Sequence, residues 1–368
     1  MRVGIDATAV LDEGTGVENH VLTVVDALAR GSDHELVCFV RHRAPAAWAE
    51  WGDRVEIRTF DTDSQVLATQ LLLPRAAKAA GIDVLYCGGK PPPAIYRAPL
   101  LVGIHDAIPW VHPEYMGSRR AVMWFRGLYN LAVRRGATIH TGCRASRDAL
   151  APVLGMATSA IQVVPYALVP WFAALIDGPD LPRPAQAPEG PYLLAVSRFD
   201  PRRGVTTLLD AWDILRADRP DLNLVLAGKV GWNVSEAVER ARRTPGVVLT
   251  GEVDAGDLAG LYRHATALVS ASAYEGFGLP VLEAMAFGTP VAASAIPPHL
   301  EQAADVAEFF PPADPVALAK AVGTILDDES VRAHAESAGR ERASQYNARR
   351  LAECWTQAAL VAISGTSS

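Results

Sequence analysis

Residues 267–294 read ALVSASAYEGFGLPVLEAMAFGTPVAAS. A short apolar run, ALVSA (267–271), enters a polar, glycine-containing turn. A helix-length apolar segment follows, and then a second short run, VAAS (291–294). Pro280 suits the first helical position, and Gly288 suits the cap just past the helix end. Strand, helix and strand in this order form a parallel βαβ unit, because parallel neighbours need a crossover of about a dozen residues or more.

The same alternation runs outward from this unit in both directions. Towards the N-terminus of the second half lie YLLAVS (192–197), LNLVLAG (222–228) and VVLTGEV (247–253), and beyond the unit lies AEFF (307–310). The first half repeats the pattern with strands predicted over 2–6, 35–40, 55–60, 83–87, 99–106, 138–143 and 161–165. Helices are expected near 17–30, 64–80, 118–135 and 146–154, and near 204–219, 234–243, 255–264, 280–287 and 314–327 in the second half. Gly31, Gly81 and Gly136 are read as left-handed caps closing three of them. Between the two series, DGPDLPRPAQAPEGP (177–191) holds five prolines and little to bury, the composition of a linker. The fold class is therefore α/β, with two doubly wound parallel-sheet domains. We assign 1–172 to the first domain, 173–191 to the linker, 192–345 to the second domain and 346–368 to a final helix. Open parallel sheets bind ligands beyond the carboxyl ends of their strands, so the site is expected in the cleft between the domains.

Composition narrows the function. The chain has 368 residues and a net charge of -7, which argues against a general nucleic-acid binder. Residues 1–172 are nearly neutral at +1, and residues 173–368 carry -8. The near-neutral first half predicts no strong electrostatic docking to a membrane. Cys38, Cys87, Cys143 and Cys354 stand far apart with no CxxC, which fits a reducing, cytoplasmic setting and argues against zinc. MRVGIDAT opens directly as a strand, so no signal peptide is expected, and no apolar run is long enough to span a bilayer.

Four places could carry chemistry. Glu275 stands on the loop after ALVSA, and Glu283 is expected in the first turn of the next helix. Backbone N–H groups from Gly276 through Phe277 and Gly278 to Leu279 would offer an oxygen-binding helix start. The plainer reading of the two acids is a helix-dipole partner and a solvated loop residue. In SRFDPRRG (197–204), Arg198 and Arg203 flank a strand end and a helix start, where they form either a diphosphate clamp or a surface salt-bridge pair. In GIHDAIP (103–109), His105 ends a strand and can donate a hydrogen bond or serve in acid–base chemistry, and Asp106 either orients it or caps the next turn. A histidine of this kind is more often structural. GTG (14–16) follows the first strand and is either a weak phosphate loop or a turn. No GxSxG or HExxH occurs, the two glutamates lack metal-ligand spacing, and Lys229 is the one lysine considered for a Schiff base.

Together these residues resemble glycosyltransferase family 4, the retaining nucleotide-sugar transferases of the GT-B fold. The similarity spans nearly the whole chain. Its strongest part is LYRHATALVSASAYEGFGLPVLEAMAFGTPVAAS (261–294), with an E-x7-E motif. VSRFDPRRG, LVLAGKVGW (225–233), VVLTGEVDAGDLAGLY (247–262) and GIHDAIPWVHPEY (103–115) add to it. The resemblance implies that Glu275 and the backbone of Gly276, Phe277, Gly278 and Leu279 meet the transferred sugar. It implies that Glu283 grips the ribose, that Arg198 and Arg203 hold the diphosphate with Gly16 nearby, and that Val253 lies at the base. His105 would sit beside the donor sugar and acceptor, and the final helix would cross back onto the first domain. Departures are Arg203 where the family usually has lysine, VPYA (164–167) for VPNG, and TGCRAS (141–146) for VSEFS. The last two bear on the acceptor.

The implied reaction moves a hexose-type sugar from a nucleotide diphosphate sugar to a hydroxyl of a sugar, lipid-linked or natural-product acceptor. It retains configuration and needs neither a metal nor a cofactor. The alternatives are a GT-B-fold epimerase or phosphorylase, or a non-catalytic nucleotide-sugar-binding protein.

Overall fold

The computed structural model describes residues 1–10, 16–44, 46–178 and 181–365. The chain divides into two compact units, Met1–Val169 with Tyr346–Ser368, and Pro170–Gln345. The first unit contains β1 (Arg2–Asp6), β2 (Glu35–Arg41), β3 (Val55–Phe60), β4 (Val84–Cys87), β5 (Leu100–Gly103), β6 (Thr138–Thr141) and β7 (Ile161–Val163). They form one sheet in the order β3-β2-β1-β4-β5-β6-β7, with every described pairing parallel. The second unit contains β8 (Tyr192–Val196), β9 (Asn223–Ala227), β10 (Val247–Gly251), β11 (Ala267–Ser270), β12 (Val291–Ser294) and β13 (Glu308–Phe310). Their order is β10-β9-β8-β11-β12-β13, again parallel. In both sheets the direction of strand addition reverses beside the first strand, between β1 and β4 and between β8 and β11. Those two points are where a doubly wound sheet opens a crevice.

Each sheet is buried on both faces, as its near-continuous apolar strands require. In β2, Leu36, Cys38 and Val40 enter one core cluster while Val37 and Phe39 enter another. In β4, Val84 and Tyr86 face the first cluster, and Leu85 and Cys87 face the second. Side chains alternate across a strand, so two layers of helices cover one sheet. The last helix, Ala348–Ser364, belongs to the first unit. It buries Leu351, Trp355 and Ala359 in the same cluster as Val3, Ile5 and Leu28. Trp355 meets the Tyr86 ring edge-on at 5.4 Å between centroids.

Several local expectations need correction. Gly81 (φ 62°) and Gly136 (φ 80°) are left-handed caps, but Gly31 is the last residue of the helix Gly16–Gly31 and has no positive φ. The helix expected over 64–80 contains a π-turn segment, Ala68–Leu72, between two α-helical pieces. The proline-rich stretch read as an inter-domain linker is tied to the second unit. There the Leu181 carbonyl accepts from His264 Nε2 at 2.8 Å, Gln186 bonds Asp257 at 2.8 Å, and the Arg183 guanidinium lies 5.1 Å from the Tyr192 ring centroid. Gly260 makes the close approach feasible, since a Cβ there would lie 2.8 Å from the Pro182 carbonyl oxygen. Among the described residues no helix is long and apolar enough to cross a membrane.

Candidate active site

In the second unit, the predicted residues collect at the switch point between β8 and β11. Arg198 follows β8, and Arg203 ends the short 3-10 turn Pro201–Arg203 before the helix Val205–Asp218. Gly204 joins them in a left-handed conformation, φ 65°. A Cβ at Gly204 would stand 2.1 Å from the Ala271 carbonyl oxygen, so only glycine lets the loop after β8 lie against the end of β11. A hydrogen bond from the Ala273 N–H to the Arg202 carbonyl, 2.7 Å, ties the same two loops.

That contact brings Glu275 and Arg203 together. Their carboxylate and guanidinium form an ion pair, and the Ser272 hydroxyl donates to Glu275 Oε1 at 2.9 Å. Glu275 is only 8% exposed, which overturns the solvated-loop reading. Arg202 is occupied differently, pairing with Asp200 at 3.1 Å. Arg198 is exposed and makes no ion pair among the described residues. The next helix, Leu279–Phe287, starts from Gly278 at φ 98° without a side-chain cap. Glu283 therefore lies in the second turn rather than the first, too far along to be a simple dipole partner. Instead, Tyr262 Oη donates to Glu283 Oε2 at 2.6 Å. Burial raises the Glu283 pKa and the tyrosine bond opposes that rise. The Tyr262 ring is itself fixed, stacked on Phe287 at 5.9 Å with Phe172 edge-on at 6.2 Å. Val253 sits half-buried in the loop between β10 and the helix Ala255–His264.

Two helices support this loop from behind, and both are capped by one neighbour, Glu329–Ser344. Arg340 donates to the Phe287 carbonyl at 2.7 Å and the Ala286 carbonyl at 3.2 Å. Arg342 donates to the Gln302 and Glu301 carbonyls, both at 2.7 Å. Cations placed on the orphan carbonyls of a helix end stabilise it. On the helix Pro297–Ala303, His299 Nε2 and both Gln302 amide atoms are buried without a hydrogen-bond partner among the described residues. A Cβ at Gly278 would lie 3.2 Å from His299 Nε2 and 3.4 Å from Gln302 Oε1, so these atoms face the glycine turn. Burial, with the Arg203 charge adding to it, pulls the His299 pKa down to about 4.

In the first unit, His105 follows β5. Its Nε2–H donates to the Gly88 carbonyl at 2.5 Å, and its Nδ1 accepts from the Tyr166 hydroxyl. Burial lowers its pKa, consistent with a neutral ring. Asp106 takes the capping role, accepting from the Ile108 N–H at 2.9 Å, so Gly88 and Tyr166 orient the imidazole. Tyr166 is the residue that replaces asparagine in VPYA. Around it, His20 packs 5.1 Å from His105 and 4.3 Å from Tyr166 between ring centroids, and His140 lies 6.1 Å from His20. Gly16 is the first residue of the helix Gly16–Gly31, while Gly14 and Thr15 lie outside the described residues. Lys229 pairs with Glu252 at 2.7 Å at the surface, which is not the desolvated setting of a Schiff-base lysine.

Tyr262, Tyr166, His20, His140, His299 and Gln302 were not singled out from sequence. Each is placed within its own unit by a tertiary contact between separate elements. The mismatch at VPYA was the one visible signal, since it marked Tyr166 as a departure.

The two parallel, doubly wound units make this a GT-B protein. A crystal structure of Anabaena HepE in complex with UDP and glucose superposes with a TM-score of 0.70, at 18% identity, covering 97% of this chain and 98% of that one. Residues 14–168 match the family described as Glycosyltransferase Family 4, and residues 180–342 match Glycosyl transferases group 1. The chain therefore belongs to the family 4-type GT-B glycosyltransferases. It is 34% identical over 160 residues to the O-antigen chain mannosyltransferase B of Escherichia coli, covering 42% of each chain. It is 26% identical over 376 residues to the phosphatidyl-myo-inositol mannosyltransferase of Mycolicibacterium smegmatis, covering 94% of this chain and 90% of that one. The aligned stretch thus spans less than half of the E. coli relative.

Proposed function

We propose that the protein transfers a hexose, with mannose the first to test, from a nucleotide diphosphate sugar to a hydroxyl acceptor with retention of configuration. The observation that carries this reading is the collection of Arg198, Arg203, Glu275 and Glu283 at one switch point of the second unit. Arg198 and Arg203 hold the diphosphate, and Glu283, aimed by Tyr262, takes the ribose hydroxyls. Glu275, with the backbone of Gly276, Phe277, Gly278 and Leu279, takes the sugar, and Val253 adjoins the base. Donor binding exchanges the Arg203–Glu275 pair: phosphate oxygens replace the carboxylate on Arg203, and sugar hydroxyls replace the guanidinium on Glu275.

The chemistry follows from where charge develops. As the anomeric carbon–oxygen bond breaks, negative charge grows on the diphosphate, where two guanidiniums and an uncapped helix start stabilise it. The acceptor oxygen bonds the anomeric carbon on the face the diphosphate leaves, and its proton passes to a departing phosphate oxygen. The counter-charge in this reading comes from the cationic side chains of Arg198 and Arg203. No cofactor enters the reaction beyond the nucleotide sugar, and free cysteines support a reducing, cytoplasmic setting. His105 and Gly16 of the first unit complete the assignment, His105 meeting substrate by exchanging the Gly88 carbonyl for a substrate oxygen. The acceptor is a hydroxyl of a sugar, a lipid-linked saccharide or another natural product.

The test is turnover of α-linked nucleotide diphosphate mannose and glucose with saccharide acceptors, the product read by proton NMR. The expected product keeps the α configuration of the donor. A β-linked product overturns the same-face mechanism, and binding without turnover across the acceptor panel overturns the enzyme reading.

A further inference from the structure

The helix Arg119–Arg134 and its cap Arg135 carry five arginines, and residues 119–137 contain no Asp or Glu. Arg126 is turned inward, donating to the Pro109 carbonyl at 2.6 Å and the Trp110 carbonyl at 3.3 Å. Arg119, Arg120, Arg134 and Arg135 are exposed and make no ion pair or side-chain hydrogen bond among the described residues. On the same helix Met123 is 67% exposed and Trp124 is 44% exposed. At about 100° per residue, positions 119, 120, 123, 124 and 134 fall within one arc of about 140°. The opposite face buries Val122, Tyr129 and Ala132. The solvent face is about 24 Å long and combines unpaired cations with large apolar side chains. Arg97 adjoins it, lining a groove with Leu128, Leu131 and Arg135.

We propose that this face docks the protein onto an anionic lipid bilayer surface. The arginines supply the charge complementarity, and their aliphatic stems lie beside Met123 and Trp124 as those side chains enter the headgroup region. A tryptophan at the edge of a basic helix face suits the membrane–water interface, where its ring is apolar and its N–H stays wet. A second copy of the chain is the poorer fit, because an isologous contact would set arginine against arginine. A nucleic acid is also poorer, since single strands call for a groove tracking the backbone rather than a convex helix face. The +1 balance of residues 1–172 pointed to no strong electrostatic docking; the net charge hides this cluster, because acids elsewhere in the unit cancel it only in the sum.

Vesicle co-sedimentation of the full chain tests the proposal. The protein should partition onto phosphatidylcholine vesicles containing phosphatidylglycerol, not onto phosphatidylcholine alone, and release at about 0.5 M salt. Arg119→Gln with Arg120→Gln should weaken partitioning about 30-fold. Trp124→Ser should weaken it as well. Among the described residues these side chains make no ion pair or side-chain hydrogen bond, so far-UV circular dichroism and the melting temperature should be unchanged. Arg242→Gln with Arg243→Gln removes the same charge from the second unit and should leave partitioning intact. Absence of binding to anionic vesicles overturns the proposal, as does equal loss in both double variants. Self-association abolished by Trp124→Ser, or tight RNA binding lost with Arg119 and Arg120, would assign the face to another partner and equally overturn it.

Discussion

Glu283 owes its aim to one hydrogen bond. A buried carboxylate that accepts a bond in its charged form is held ionised against desolvation. Tyr262→Phe removes that bond and keeps the ring stacking, so the Glu283 pKa, already raised, should rise further. If the ribose needs the carboxylate, nucleotide affinity falls as pH drops through that pKa. The acid limb of a binding-versus-pH profile should therefore move to higher pH in Tyr262→Phe, with the plateau at high pH lowered by about three- to tenfold for the lost orientation. A calorimetric titration series reads this, and an unmoved acid limb would show that Glu283 is not the titrating ligand. At this scale the sequence was partly legible. Glu275, Arg198 and Arg203 stood out because they flank strand ends and helix starts, where open parallel sheets bind their ligands. Tyr262 did not, because nothing in a helical LYRH segment marks a hydroxyl that reaches a helix 21 residues away.

At the scale of elements, the strands were legible because β-branched and leucine-rich runs between turn signals have few other readings. Helix starts were less so. Pro280 looked like the first helical residue, yet the left-handed Gly278 sets the start and shifts Glu283 into the second turn. The final helix assigned to 346–368 starts at Ala348, where Asn347 caps it by accepting from the Arg350 N–H at 2.9 Å. The helix Glu329–Ser344 earns its place by capping. Arg340→Ala leaves the Ala286 and Phe287 carbonyls without their cation, and charge-assisted bonds of this kind contribute roughly 1–2 kcal/mol when partly exposed. The melting temperature of the second unit should fall by about 2–8 °C. Nucleotide affinity should also weaken as the Gly278 turn loosens. An unchanged melting temperature would show that solvent satisfies those carbonyls equally well.

At the scale of the whole molecule, buried histidines give stability a pH dependence, with His299 acting in the second unit and three more in the first. His20, His105 and His140 lie in the first unit, and burial lowers all three pKa values, His140 to about 3. The unfolded chain takes up these protons near pH 6.5 while the folded unit does not. Their stabilisation is therefore complete above that pH and lost as pH falls below it. Asp6, raised by burial, acts in the opposite sense at lower pH. Calorimetric scans from pH 7.5 down to about 5 should show the first unit losing melting temperature, and His140→Leu should flatten that fall. A slope unchanged by His140→Leu would remove the histidine from the account. The clustering itself was invisible in sequence, since it depends on the strand order that sets β4, β5 and β6 side by side. Arg198 tests the second unit as a nucleotide-sugar site most directly, because among the described residues its side chain makes no ion pair whose loss could unfold the protein. Isothermal titration of nucleotide diphosphate mannose and glucose into wild type and Arg198→Ala should show one donor bound and its affinity reduced about tenfold or more. Equal affinity in both proteins, or no binding of any nucleotide sugar by the wild type, would contradict it.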